Sequence, residues 1–371
     1  MKIALITDTH YGARKGSKTF HDFFGKFYKD IFFPTLKERG ITVAIHLGDA
    51  FDSRKSIDFW ALDWAKTNVY DKFQELGIKL YNIVGNHDAY YKNTNDVNSV
   101  DCLLGQYDNV VKVSEPKQYK IGGADMLLVP WICQDNEEQT FNEVKKSKAK
   151  IAMGHLELNG FEAYRGHTMD NGHDPSAFQK FDLVYSGHYH TRSNDGKIFY
   201  LGNPYQMFWN DVDDKRGFHI FDTETKELEF IENPYTIFER IYYEDTNYRT
   251  FNSTLYKDKI VKIIVRKKSD QLQFEKFIDK IHKAGCIEIK IVENFAVNDE
   301  DVNLTSEECE DTLTYLNKYI DDSDFDLDKD IVKRLMRDVY REACEMLMFF
   351  VLCFVNFLGV PKAIRGMTTF S

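Results

Sequence analysis

A chain of 371 residues with 43% hydrophobic and 15% aromatic side chains has room for two or three domains and is too apolar to be disordered. Its formal charge of −11 argues against binding nucleic acid by bulk electrostatics, since phosphate affinity comes from Lys and Arg displacing counterions. Cys102, Cys133, Cys286, Cys309, Cys344 and Cys353 lie far apart without a CxxC pair, which reads as reduced thiols. Met1-Lys2-Ile3 runs directly into a strand without the layout of a signal peptide, so a cytoplasmic location is expected.

In chain order, apolar patterning predicts a strand over Lys2–Asp8 and a helical stretch over Ser17–Arg39 that Pro34 kinks or splits. A strand over Thr42–Gly48, a helix over Ile57–Leu76 closed by Gly77, and a strand over Lys79–Val84 follow. This alternation is a βαβ pattern, and right-handed crossovers bring its strand ends to one edge. Beyond Val110 the elements shorten. Strands over Met126–Trp131, Ile151–Met153, Leu183–Tyr185, Ile198–Leu201, Phe218–Phe221 and Leu228–Ile231 predict a second sheet packed on the first, with an exposed helix over Glu137–Lys150.

The composition shifts at Asn233-Pro234, and Val261–Val265, Gln271–Ala284 and Ile287–Val292 predict a small β-α-β unit. The expected fold is therefore α/β: a two-sheet β-sandwich flanked by helices over 1–233 and a small α/β cap over 234–293. A linker over 294–310, a helical hairpin over 311–345 and an apolar tail over 346–371 complete it. Met346–Phe357 is almost continuously apolar but shorter than the roughly 18 to 20 residues of a spanning helix. It reads as a helix end covered by a partner or by the fold; a membrane anchor and a segment foreign to the fold are the alternatives.

Chemistry concentrates where strands end. Asp8-Thr9-His10, Gly48-Asp49-Ala50-Phe51-Asp52, Gly85-Asn86-His87-Asp88, Gly154-His155 and Gly187-His188-Tyr189-His190 each follow an apolar run and offer Asp, Asn or His. These are the oxygen and nitrogen donors of a divalent metal site. One such cluster is commonplace; five in this order form a specific signal.

The series resembles the calcineurin-like metallophosphoesterases, which hold two metals between two packed sheets. With Thr191, Arg192 and Leu201-Gly202-Asn203-Pro204-Tyr205-Gln206, the small β-α-β unit and the helical C-terminus, it looks like the SbcD-type double-strand-break repair nucleases, phage recombination-endonuclease branch. The resemblance covers roughly residues 1 to 345 and implies a DNA exonuclease and endonuclease with two Mn2+, or Mg2+, Fe2+ or Zn2+ in their place. It assigns Asp8, His10, Asp49 and His190 to one metal and Asp49, Asn86, His155 and His188 to the other, with Asp49 shared. His87 would donate a proton to the leaving oxygen or stabilise the transition state, and Asp88 would orient it, with capping of its own turn as the alternative. Many relatives carry His where Asp52 stands, so Asp52 is read as accepting a proton or ordering a water, and Arg54 as touching phosphate.

The implied partners are double-stranded DNA ends, an SbcC-type SMC-like ATPase docked on the C-terminal helices through Leu335, Met336 and Val339, and a second copy of the chain; no membrane is expected. A small-substrate phosphodiesterase or phosphoprotein phosphatase, and a non-catalytic scaffold, are the alternative functions.

Overall fold

The computed structural model describes residues 1–164 and 166–293, together with the single positions 320, 329, 332 and 333. The chain divides into two units, Met1–Glu293 and Asn294–Ser371. In the second, only those four positions are described, and each is helical. The expected linker at 294–310, the rest of the hairpin at 311–345 and the apolar tail at 346–371 thus lie outside the described residues.

Two six-stranded sheets make up most of the first unit. One runs in the order Leu228–Glu232, Gly217–Asp222, Lys2–Ile6, Val43–His46, Lys79–Ile83, Val110–Val113, its last four strands parallel. The other runs Ser193–Asn194, Ile198–Tyr200, Leu183–Gly187, Ile151–His155, Ala124–Val129, Lys117–Ile121. Side chains alternate across a strand, so Leu5, Ile45 and Ile83 meet Leu128, Met153 and Tyr185 between the sheets. The intervening Ala4, Ile6, Ala44 and Leu80 pack under helical Phe24, Phe27, Phe32, Trp64 and Phe73. On the opposite outer face Val144, Phe178 and Phe181 cover Leu127, Ala152 and Val184.

The hairpin of Phe218–Phe221 and Leu228–Ile231 is not in the second sheet, where the sequence pattern put it. It extends the first, pairing antiparallel with Lys2–Ile6. The reason is that Lys2–Ile6 has a free edge, and the hairpin closes it while serving both faces: Phe221 enters the inter-sheet core, and Phe218 meets Phe27 and Phe32. Pro34 is absorbed without a break. Between helices Lys18–Phe27 and Phe33–Glu38 the chain widens into a π turn at Tyr28–Phe32, where the ladder adapts to the missing proline N–H. The second crossover helix starts at Asp58, whose carboxylate accepts from the Trp60 and Ala61 N–H groups.

Phe238–Glu244, Ile260–Lys267 and Glu288–Glu293 form a separate parallel sheet carrying the helix Gln271–Lys283. Its core is its own: Ile241, Tyr243, Val261, Ile263, Val265, Phe274, Phe277 and Ile281. Gln206 fastens it to the sandwich, its buried Oε1 accepting from Ile237 N at 2.8 Å and Phe238 N at 3.0 Å. Among the described residues no helix is long and apolar enough to cross a membrane.

Candidate metal centre

The donors lie at the carboxyl ends of parallel strands, where an open α/β sheet presents ligands. The loops leaving Lys2–Ile6 and Val43–His46 zip together through Asp8 N to Gly48 O at 3.0 Å, His10 N to Asp49 O at 3.1 Å and Tyr11 N to Ala50 O at 2.8 Å. Asp8, His10, Asp49 and His188 all take left-handed backbone, with φ of 51°, 45°, 53° and 89°. Non-glycine residues rarely adopt this conformation, and its clustering at one place marks a site whose geometry is imposed by its surroundings.

The motif glycines are required by close approach. A Cβ on Gly85 would collide with the main-chain nitrogen and Oδ1 of Asp49, one on Gly48 with the His155 ring, and one on Gly187 with Thr7 Oγ1. Gly85→Ala should therefore destabilise the fold by about 3 kcal/mol, the upper end of overpacking, read as a lower urea midpoint at unchanged m-value. A loss under about 1 kcal/mol would mean that the loop yields easily.

The side chains converge. Asp8, His10 and His190 each offer a donor atom within 4.8 Å of the others, and so do Asp49, His155 and His188. His10 Nε2 faces His190 Nε2 at 3.2 Å, and Asp49 Oδ2 lies 3.3 Å from His155 Nε2 and 3.8 Å from His10 Nε2. Asn86 Oδ1 is 2.8 Å from His155 Nε2 and 2.9 Å from His188 Nδ1. Asp8 is braced by Thr7 Oγ1 at 2.7 Å and by His188 N, 3.1 Å from both its oxygens. His155 Nδ1 donates to Leu47 O at 2.9 Å, which leaves Nε2 facing Asn86 and Asp49. A backbone carbonyl fixing a histidine's tautomer in this way is the usual outer support of a metal ligand.

Electrostatics point the same way. Burial would lower His10, yet Asp52, Asp49 and Asp8 outweigh it and raise the imidazole to about 9. At His155 burial is likewise overcome, chiefly by Asp49, and the ring is raised to about 9. Burial, followed by the neighbouring His155, pushes His188 down to about 3. Burial opposes ionisation of Asp49, but His155 prevails and holds it well below the usual carboxylate range. Burial raises Asp8 to about 6. The pocket thus compensates buried carboxylates with protonated imidazoles, and a divalent cation would supply that charge while releasing the protons. Carboxylate, imidazole and amide donors suit Mn2+, Fe2+ or Zn2+. His10 Nδ1 is buried without a hydrogen bond, 3.4 Å from Asp52 Oδ1, and the facing His10 and His190 nitrogens invite a cation between their lone pairs. The residues fit the metals that the resemblance implies.

His87 lies at the same centre, forming a third group with His10 and Asp49. Its N–H donates to Asp49 Oδ1 at 2.7 Å, and its Nδ1 to the Asp52 carbonyl at 2.6 Å. Asp88 does not orient it. The Asp88 carboxylate instead accepts from Ala50 N, Phe51 N, Gly85 N and Ser99 Oγ, at 2.9 to 3.2 Å, binding the Asp49 and Asn86 loops to each other. The carbonyl of Asp52 holds His87, a role that side-chain types cannot reveal. The Asp52 carboxylate faces His10. Arg54 is turned to neighbouring loops, donating to Ala89 O at 3.2 Å and lying over the Trp131 ring. His46 is a buried support, 2.9 Å from Thr9 Oγ1. Glu157, not anticipated from sequence, lies 4.0 Å from His188 Nε2.

The calcineurin-like phosphoesterase model matches residues 1–192. The chain is similar to exonuclease subunit 1 of Enterobacteria phage T4, 32% identical over 315 residues that cover 83% of this chain and 90% of the relative. Among solved structures, a dimetal phosphatase from Danio rerio is 12% identical with a TM-score of 0.38, covering 59% of this chain and 91% of its own. An archaeal phosphodiesterase is 14% identical with a TM-score of 0.34, covering 63% of this chain and 100% of its own.

Proposed function

The chain belongs to the calcineurin-like phosphoesterase family, on its SbcD-type branch, and from that premise we propose that it is a Mn2+-dependent DNA nuclease subunit with 3′–5′ exonuclease and endonuclease activity. It is a metal-dependent phosphodiester hydrolase. The observation that carries the nuclease reading is the meeting of Asp8, His10, Asp49, Asn86, His155, His188 and His190 in one pocket of a chain that matches a phage exonuclease subunit over most of both lengths.

In this reading Asp8, His10, Asp49 and His190 hold one cation and Asp49, Asn86, His155 and His188 the other. Two bound divalent cations supply positive charge at the phosphate and make water acidic enough to attack near neutral pH. The chain's own groups do the rest. Asp49 turns one oxygen, Oδ2, to both histidine sets, Asp52 steadies His10, and the Asp52 carbonyl fixes His87 with Nε2 left to act. Water oxygen bonds to phosphorus, the bond to the 3′ oxygen breaks, and His87 Nε2 passes a proton to that leaving oxygen.

The chain would act on double-stranded ends in DNA recombination, repair and replication as a homodimer with an SbcC-type SMC-like ATPase. The C-terminal helices would carry that docking, and a net charge of −11 agrees with a partner that shares the binding of DNA.

The test is release of nucleotides from a duplex 3′ end. Mn2+ should support it, a chelator should stop it, and restored Mn2+ should recover it. Turnover of a cyclic nucleotide or a phosphopeptide far above that of DNA would overturn the nuclease reading in favour of a small-substrate phosphodiesterase or phosphatase.

A further inference from the structure

Phe208 is 41% exposed, and its ring lies nearly parallel to that of His190, 21° apart with centroids at 6.2 Å. It is not a loosely held surface residue. Met207 N and Phe208 N both donate to the buried carboxylate of Asp211, at 2.6 and 2.9 Å. Asp211 pairs with the buried guanidinium of Arg216 at 3.0 Å, and the same Arg216 donates to His190 O and Asn203 Oδ1. One buried cation therefore sets the main chain of Phe208 in register with the main chain of His190. Arg14, which follows the Asp8-His10 loop, donates to Met207 O at 2.9 Å and places its guanidinium 5.0 Å from the Phe208 ring centre. Leaving an aromatic ring in water while fixing its backbone with a buried ion pair is unfavourable for stability alone, and it makes sense where a flat apolar ligand is to be received.

We propose that Phe208, backed by Arg14, is the wall on which the nucleobase beside the scissile phosphate packs, so that the centre takes a DNA end by an unpaired terminal base. The inference rests on the nuclease reading. Every base has an aromatic face, so such a wall positions the strand without choosing its sequence. It also requires the last base pair to open before the phosphate reaches the histidines, which gives frayed or single-stranded ends precedence over closed ones.

The experiment pairs a change in the enzyme with a change in the substrate. The full Mn2+-loaded chain, and its Phe208→Ala and Phe208→Trp variants, are assayed on oligonucleotides whose terminal nucleotide carries its base or a tetrahydrofuran abasic analogue. The wild type should show a KM about tenfold lower for the end that has a base, the scale of one base–aromatic contact. Phe208→Ala should show no preference, and Phe208→Trp should keep it. A 2-aminopurine terminal base should lose fluorescence on binding to the wild type, but not to the alanine variant. If the alanine variant discriminates as the wild type does, or tryptophan behaves as alanine, the wall does not exist and the nuclease reading survives. If the wild type cleaves neither oligonucleotide, the nuclease reading falls and takes the inference with it.

Discussion

Asp49→Asn should cost at least about 10³-fold in metal-dependent hydrolysis while the chain stays folded, the equivalent of about 4 kcal/mol of lost charge stabilisation in the transition state. Asparagine is the informative replacement because it tolerates the left-handed backbone at this position, where φ is 53°. Its carbonyl oxygen can also still accept the His87 N–H that Asp49 Oδ1 takes at 2.7 Å. What disappears is the negative charge between the two histidine sets, 3.3 Å from His155 Nε2 and 3.8 Å from His10 Nε2. Titration with Mn2+ should show at least one ion fewer bound per chain, and circular dichroism should show the wild-type fold. Activity within about tenfold of wild type, with full Mn2+ binding, would remove Asp49 from its shared position.

The centre was legible in the sequence because divalent cations restrict residue type, and because strand ends restrict position. Asp8, Asp49, Asn86, His155 and His188 each follow an apolar run, and βαβ handedness is enough to bring the first three together. What supports the centre was not legible. Asp88, Gln206 and Asp211 act on main-chain N–H groups distant in sequence or held in turns, and such bonds leave no periodicity. The strand Phe238–Glu244 went unseen for a related reason: Glu239, Arg240 and Glu244 interrupt its apolar residues, and only Phe238, Ile241 and Tyr243 are buried. The pattern of Gly217–Asp222 marks a strand but not its sheet, since apolar residues that fit both faces of a sandwich cannot say which free edge the strand closes.

Phe208 was hidden by the opposite problem. Within Tyr205-Gln206-Met207-Phe208-Trp209 every apolar residue reads alike, yet Tyr205 is fully buried, its hydroxyl donating to Thr9 O at 2.6 Å and its ring stacked on Phe24, while Phe208 stands exposed. The two diverge because Asp211 and Arg216 turn the chain between them.

His87→Asn should lower kcat by about 10² to 10⁴-fold with Mn2+ stoichiometry and affinity unchanged, the range expected for loss of a positioned proton donor. The asparagine amide nitrogen stands where Nδ1 does, so the hydrogen bond to the Asp52 carbonyl, 2.6 Å in the wild type, can persist together with the main-chain bond to Asp49. Only Nε2 is deleted. Because His87 also has a nitrogen within 4.8 Å of donors from His10 and Asp49, it is placed well enough to hold a metal itself, and kcat alone would not separate the two roles. Metal binding does separate them. A proton donor leaves Mn2+ affinity where it was, whereas a ligand lost from the set weakens it. The leaving group gives a second reading: a phosphodiester whose leaving oxygen needs no proton, such as a p-nitrophenyl ester, should lose far less in the variant than DNA does, because the deleted step is no longer required. Equal losses on both substrates, or a fall in Mn2+ affinity that matches the fall in rate, would transfer His87 from proton transfer to the ligand set.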